Sequence, residues 1–327
     1  MRVSSHMIHK DLRFWGTIFK IFYRFDNEKR FKTAQKSVSK IFRGKKSKKI
    51  SCGEQIIKNE KGEKLRLCIY KPLESKSNIP GILWLHGGGY AMGVPELELF
   101  YMEKLIEAVD CIIVSPDYRV STVQPYPAAL EDSYSTLCWI KQNAEELGIR
   151  NDQIFIGGNS AGGGLAVATV LYARDKGEVN IAFQMPLYPM LDDRMISASA
   201  KDNNSPVWNS VSNETAWKMY LGELYGTDRV PKYASPSRET DYSSLQPAYT
   251  YVGTIDVFYD ETIAYINNLR NAGVSAKVQE YEGCFHGFDQ LCKQTKIAQE
   301  AINNLLQEFV YAVNHYFSQQ PDRNNKK

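Results

Sequence analysis

The chain has 327 residues, 43% hydrophobic and 24% charged, which suits a globular protein with a full core, built as one large α/β domain or two smaller ones. No run of about twenty apolar residues occurs, which excludes a transmembrane helix, and the six cysteines (Cys52, Cys68, Cys111, Cys138, Cys284, Cys292) form no C-x-x-C pair, so they read as free thiols of a reducing compartment and not as a metal centre. The net charge of +3 hides a split: residues 1–50 hold 15 Lys and Arg against 3 Asp and Glu, a balance of +12, and the remainder sums to −9.

The first predicted unit is therefore a basic arm, residues 1–50. Its most apolar run, "FWGTIFKIFYRF" at 14–25, is broken by Lys20 and Arg24 and lacks a small-residue cleavage site, so no signal peptide is read and a cytoplasmic location is expected. Ser5-His6-Met7 resembles a cloning remnant, with Met7 as the native start. A basic amphipathic arm raises peripheral contact with a membrane surface. Nucleic acid fits poorly, because no aromatic residues are interleaved with the lysines of "RGKKSKKI" at 43–50.

From residue 65, apolar runs of strand length alternate with segments of helical period, which predicts a mostly parallel sheet with helices on both faces. "LRLCIY" (65–70) comes first and "GILWLHG" (81–87) second. The latter opens "LWLHGGGY", a glycine run at a strand end, where ligands of parallel sheets bind. Three glycines cost backbone entropy, and acyl transfer supplies a reason for them: the oxyanion it creates needs bare N–H donors.

"CIIVSPDY" (111–118) follows, then a helix over 128–147 whose Leu130, Tyr134, Leu137, Ile140, Ala144 and Leu147 form one apolar stripe. "IFIGG" (154–158) leads into Gly158-Asn159-Ser160-Ala161-Gly162, a match to G-x-S-x-G, the turn that lifts a serine hydroxyl above a sheet. A side chain at 158 or 162 would collide with the neighbouring strand and helix, and the helix N-terminus after Ser160 offers free N–H groups. The glycines do not match G-x-G-x-x-G with its acidic partner, nor a P-loop. Gly88 and Gly89, joined by the N–H of Ala161, are the expected oxyanion donors.

"FQMPLYP" (183–189) precedes a polar insertion, residues 191–235, of the kind a lid over the site requires. "AYTYVG" (248–253) ends near Asp256, "AKVQEY" (276–281) precedes His286 in "YEGCFHGFD", and a helix carrying Ile297 to Val313 closes the chain before a polar tail, 321–327. A serine needs a base, and the base an acid that fixes its tautomer. Of five histidines, His286 alone follows the last strand in a loop free to swing over the sheet edge; Asp256 is preferred over Asp260 as the acid, because Asp260 should already lie on the next helix.

Together, "HGGGYAMG", "DYRV" with "PYPAALED", "GGNSAGGGLA", "PLYPMLD", "VGTIDVFYDE" and "YEGCFHGF", spread over about 80–290, resemble the hormone-sensitive-lipase-like family of α/β-hydrolase esterases. The resemblance implies an α/β-hydrolase catalytic domain over 51–320, Ser160 as nucleophile, Asp256 and His286 as its partners, an oxyanion hole at Gly88, Gly89 and Ala161, and a cap made from arm and insertion. It also implies a carboxylesterase for short- to medium-chain acyl esters that needs no cofactor or metal. Homodimers are common in the family, and an amidase or a non-catalytic binding protein are the alternatives. Tyr90, Met92, Trp208 and Trp217 are candidate pocket residues, as are the arm's aromatics.

Two positions depart from the family pattern. Asn159 replaces the usual aspartate before the nucleophile, which should make the turn less acidic and shift the pH optimum. Ser121-Thr122-Val123 replaces "APE", which removes a glutamate expected near the site.

Overall fold

The structure is a computed structural model describing residues 1–74 and 76–321; the rest of the expected polar tail lies outside the described residues. Eight strands form one sheet: β1 (Ser51–Lys58), β2 (Lys64–Lys71), β3 (Ile79–Leu85), β4 (Ile112–Pro116), β5 (Ile149–Asn159), β6 (Phe183–Leu187), β7 (Ala248–Gly253) and β8 (Ala276–Tyr281). Their spatial order is β1-β2-β4-β3-β5-β6-β7-β8. β1 with β2 and β2 with β4 are antiparallel, and every later pairing is parallel.

Ten α-helices accompany the sheet among the described residues, α1 (Arg13–Phe22), α2 (Glu28–Phe42), α3 (Leu99–Ala108), α4 (Ala128–Gln142), α5 (Ala144–Leu147), α6 (Ala161–Lys176), α7 (Ser210–Leu221), α8 (Tyr259–Asn271), α9 (Phe288–Leu291) and α10 (Lys296–His315), with short 3-10 turns before and between them. The helix expected over 128–147 is thus split at Asn143 into α4 and α5.

Two apolar cores flank the sheet, and strand alternation feeds both. In β3, Leu83 and Leu85 enter one core, with Leu130, Leu137 and Ile266 of the helices on that face. Ile82 and Trp84 enter the other, with Met102, Leu105 and Phe309 from α3 and α10. Successive side chains of a strand point to opposite faces, so a strand covered on both reads as a continuous apolar run.

The arm packs onto this body from its first residues. The His9 N–H donates to the Gly283 carbonyl at 2.8 Å, and Gly16 lets α1 lie against Ile8, Pro206 and Phe285. In α2, Phe31 is fully buried, stacked on Phe25 at 5.1 Å and edge-on to Trp208 at 6.0 Å. Beyond α2, the Gly44 N–H donates to Glu96 at 2.6 Å and Arg43 pairs with Asp117, also at 2.6 Å.

Candidate active site

Three strand ends converge. Ser160 caps α6 directly after β5, with φ 57° and ψ −124°, a region that residues bearing a Cβ rarely occupy. Its own N–H donates to the Leu187 carbonyl at 2.9 Å, and its carbonyl accepts from Gly164 and Met190, so the turn is fixed from both sides. A Cβ on Gly162 would land on the carbonyl oxygens of Leu85 and His86, and one on Gly158 on those of Leu85 and Gly162, which explains the bare turn.

Asp256 follows β7 and His286 follows β8. His286 Nε2 lies 2.8 Å from Ser160 Oγ, and Nδ1 lies 2.8 Å from Asp256 Oδ2. The second carboxylate oxygen of Asp256 accepts from the Phe258 N–H at 3.0 Å, which holds the carboxylate in place. All three residues are buried. Asp260, on α8, instead accepts from the Ser199 N–H at 2.7 Å.

The glycine loop stands over the serine. Gly88 has φ +120°, and a side chain there would strike the Met92 carbonyl; Gly89, at φ +62°, would strike Trp208. Among the described residues, the N–H groups of Gly88, Gly89 and Ala161 have no hydrogen-bond acceptor. Inside the loop His86 is wholly buried, stacked on Tyr118 at 4.0 Å with Nδ1 on the Gly87 carbonyl, and burial lowers its pKa to about 4. It stays neutral and serves the loop's packing.

A cavity of about 510 Å³ opens onto Ser160 and His286. Its walls are mostly apolar, with Tyr23 and Phe25 after α1, Val38 and Phe42 of α2, Phe100 of α3 and Val207 of the insertion, and with Glu98, Gln290 and Lys293 among the polar residues. Met92 and Trp208 line it as expected from the sequence. Tyr90 and Trp217 do not. Tyr90, at φ 58°, is turned down beneath the loop, donates to the Met190 carbonyl at 3.0 Å and stacks on Tyr220 at 4.0 Å; Trp217 is fully buried beside the same tyrosines. Both are core.

Besides the aliphatic wall residues and Phe100, two residues close to the serine turn and His286 escaped the sequence reading. Tyr188 presents its ring edge-on to His286 at 5.0 Å, and its hydroxyl meets that of Tyr101 at 2.9 Å. Glu98 is almost fully buried, accepts from the Gly87 N–H at 3.4 Å and stands against Asn159, and burial raises its pKa to about 7. A carboxyl therefore does lie beside the serine turn, contributed by the segment before α3 and not by residue 159. Val123, in place of the family glutamate, is 75% exposed, while Arg119 draws its partners from Asp132, Glu131 and Glu63.

Elsewhere Glu54, Cys68 and Glu96 converge closely enough to hold a cation. The Arg66 guanidinium already occupies that place, 3.1 Å from Glu54, 3.2 Å from Cys68 Sγ and 2.8 Å from Glu96, and burial pushes the Cys68 thiol up to about 12. A protonated thiol beside a fixed cation is a poor ligand set. No helix among the described residues is long and apolar enough to cross a membrane.

Known proteins share this architecture. The pattern of the alpha/beta hydrolase fold matches residues 82–290. Esterase LipI of Mycobacterium tuberculosis is 31% identical over 229 residues, covering 70% of this chain and 71% of its own. An arylesterase of Saccharolobus solfataricus is 31% identical over 232 residues, 68% and 72% of the two chains. Among solved structures, a bacterial heroin esterase superposes with a TM-score of 0.86 at 29% identity, over 95% of this chain and 99% of its own. A family match spanning most of the chain, on an eight-stranded sheet of this order, makes the protein a member of the alpha/beta hydrolase fold family, in its hormone-sensitive-lipase-like branch.

Proposed function

We propose that the protein is a serine carboxylesterase that hydrolyses short- to medium-chain acyl esters through a covalent acyl-enzyme. The observation that carries this reading is the hydrogen-bonded run from Ser160 Oγ through the His286 ring to Asp256 at the floor of a mostly apolar cavity. The esterase names of its relatives support the reaction class.

In this reading the His286 Nδ1–H donates to Asp256, which leaves the Nε2 lone pair to take the Ser160 proton. The serine oxygen attacks the acyl carbonyl, and the carbonyl oxygen gains charge within reach of the free N–H groups of Gly88, Gly89 and Ala161; one such donor is worth roughly 3–4 kcal/mol of barrier. Protonated His286 gives its proton to the departing alkoxide, and the same nitrogen then deprotonates the water that releases the acid. Ester hydrolysis changes no oxidation state and His286 carries each proton, so the residues present complete the reaction without a cofactor. A cavity of about 510 Å³ with aromatic and aliphatic walls favours a compact apolar acyl or alcohol group. Residues 1–50 and 191–235 act together as its cap.

The experiment is hydrolysis of a chain-length series of p-nitrophenyl esters by wild type and Ser160→Ala. Turnover of acetate and butyrate esters that fades with length, and a loss of at least about 10³-fold in the variant, is expected. Equal turnover by both proteins would overturn the assignment, and wild-type activity confined to anilides would make it an amidase.

A further inference from the structure

The arm exposes what a cap would bury. On α1, Phe14, Ile18, Ile21 and Phe22 fall at i, i+4, i+7 and i+8, one face of a helix. Phe14 is 69% exposed, Ile21 60% and Phe22 76%, with Ile18 partly so. Single apolar residues are scattered over any protein surface, but several large ones on one stripe mark a site of interaction. The opposite face of α1 is committed: Gly16 is pressed against Ile8, Pro206 and Phe285, and the Phe19 ring meets Phe285 at 5.9 Å. The outward direction of the stripe is therefore set by packing on the body.

Charge identifies the occupant. α2, the next helix, places exposed Lys29, Lys36 and Lys40 on the surface, and Lys46 and Lys48 follow it; among the described residues none of the five is in an ion pair. An exposed Phe and Ile stripe on a segment with a balance of +12 complements a surface that is apolar beneath and anionic on top. A second copy of this chain is disfavoured, because a symmetric contact through α1 would bring two basic arms together.

We propose that α1 and α2 dock the protein on an anionic phospholipid surface, with the Phe14-Ile21-Phe22 stripe set into the headgroup boundary and the α2 lysines over the lipid phosphates. α2 is also a wall of the cavity, through Val38 and Phe42. Resting on the esterase reading, this adds that the substrates include apolar esters dissolved in the lipid phase, taken up where they partition.

The test is cosedimentation of the full chain with vesicles of phosphatidylcholine, with and without phosphatidylserine, alongside hydrolysis of soluble p-nitrophenyl acetate. Wild type should pellet with phosphatidylserine vesicles and be released by high salt, since exposed charges are screened beyond about 8 Å at physiological ionic strength and at shorter range in more concentrated salt. Phe14→Ser/Ile21→Ser/Phe22→Ser and, separately, Lys29→Glu/Lys36→Glu/Lys40→Glu should each weaken vesicle binding on the order of ten-fold or more while soluble-ester turnover stays within about two-fold. Wild type remaining in the supernatant, or either variant binding as well as wild type, would overturn the docking. So would light scattering that shows a dimer which the apolar variant splits while vesicle binding persists. Vesicle binding by a protein inactive on every ester would sink the esterase reading and leave the docking standing.

Discussion

Ser160 sits at a positive φ because its neighbours leave no alternative: Gly162 is wedged under the carbonyls of Leu85 and His86, and two carbonyl contacts hold the turn. Gly162→Ala should therefore destabilise by about 1–3 kcal/mol or more, as overpacking does, and lower kcat with it; a urea melt beside initial rates checks both. Asp256→Asn should keep the fold but disturb the His286 tautomer, with kcat falling about 10⁴-fold at unchanged melting temperature. At this scale the sequence was most legible where backbone geometry dictates residue type, as in the glycines around Ser160 and the strand-end positions of Asp256 and His286. It was least legible where a side chain's direction decides. Tyr90 follows a glycine run and its φ of 58° turns it under the loop, something composition does not encode. Glu98 reads as an ordinary surface acid until the fold buries it against Gly87.

Elements were legible in proportion to their burial. β7 and β8 match the expected spans residue for residue, and β3 to β6 differ only at their ends. β1 was missed because "SCGEQIIK" is an edge strand exposed along most of its length, so no apolar run announces it. The arm was visible as charge, while its role in walling the cavity rests on contacts some 180 to 270 positions away in sequence, with Trp208 and Phe285. Phe31→Ala tests that role: removing a fully buried ring stacked on Phe25 should cost about 3–5 kcal/mol and, by loosening one wall, raise KM for the preferred ester more than it lowers kcat. Thermal melts and steady-state kinetics report the two separately.

For the molecule as a whole, buried acids set the response to pH. Glu98, Glu261 and Asp289 are enclosed, and burial raises each pKa, to about 7 for Glu98. Between the usual carboxylate range and each group's raised pKa the native state therefore holds protons that the unfolded chain has released, so the stability each contributes is lost as pH rises through that interval. His86 acts oppositely below its usual range, since its pKa is lowered to about 4, and Glu239, lowered to about 2 against Lys232 and Arg174, costs stability only in stronger acid. Glu98 therefore predicts a contribution to stability that is lost between about pH 5 and pH 7, at most about 1.4 kcal/mol per pH unit, while His86 acts in the opposite direction over the lower part of that window. Glu98→Gln should flatten that decline, measured as melting temperature across the same buffers; an unchanged slope would show that Glu98 does not titrate there.

The contact between His9 and Gly283 also has a consequence in time. On a ribosome the arm is made before its seat, roughly 270 residues and about 15–50 seconds earlier at ordinary elongation rates. Through that interval Phe19 lacks Phe285, and Phe31 waits some 180 residues for Trp208, so the nascent chain carries an apolar segment without its full seat. Overproduction in cells should thus depend on chaperone supply, and a chain lacking residues 1–50 should escape that dependence during synthesis yet finish with its cavity unroofed.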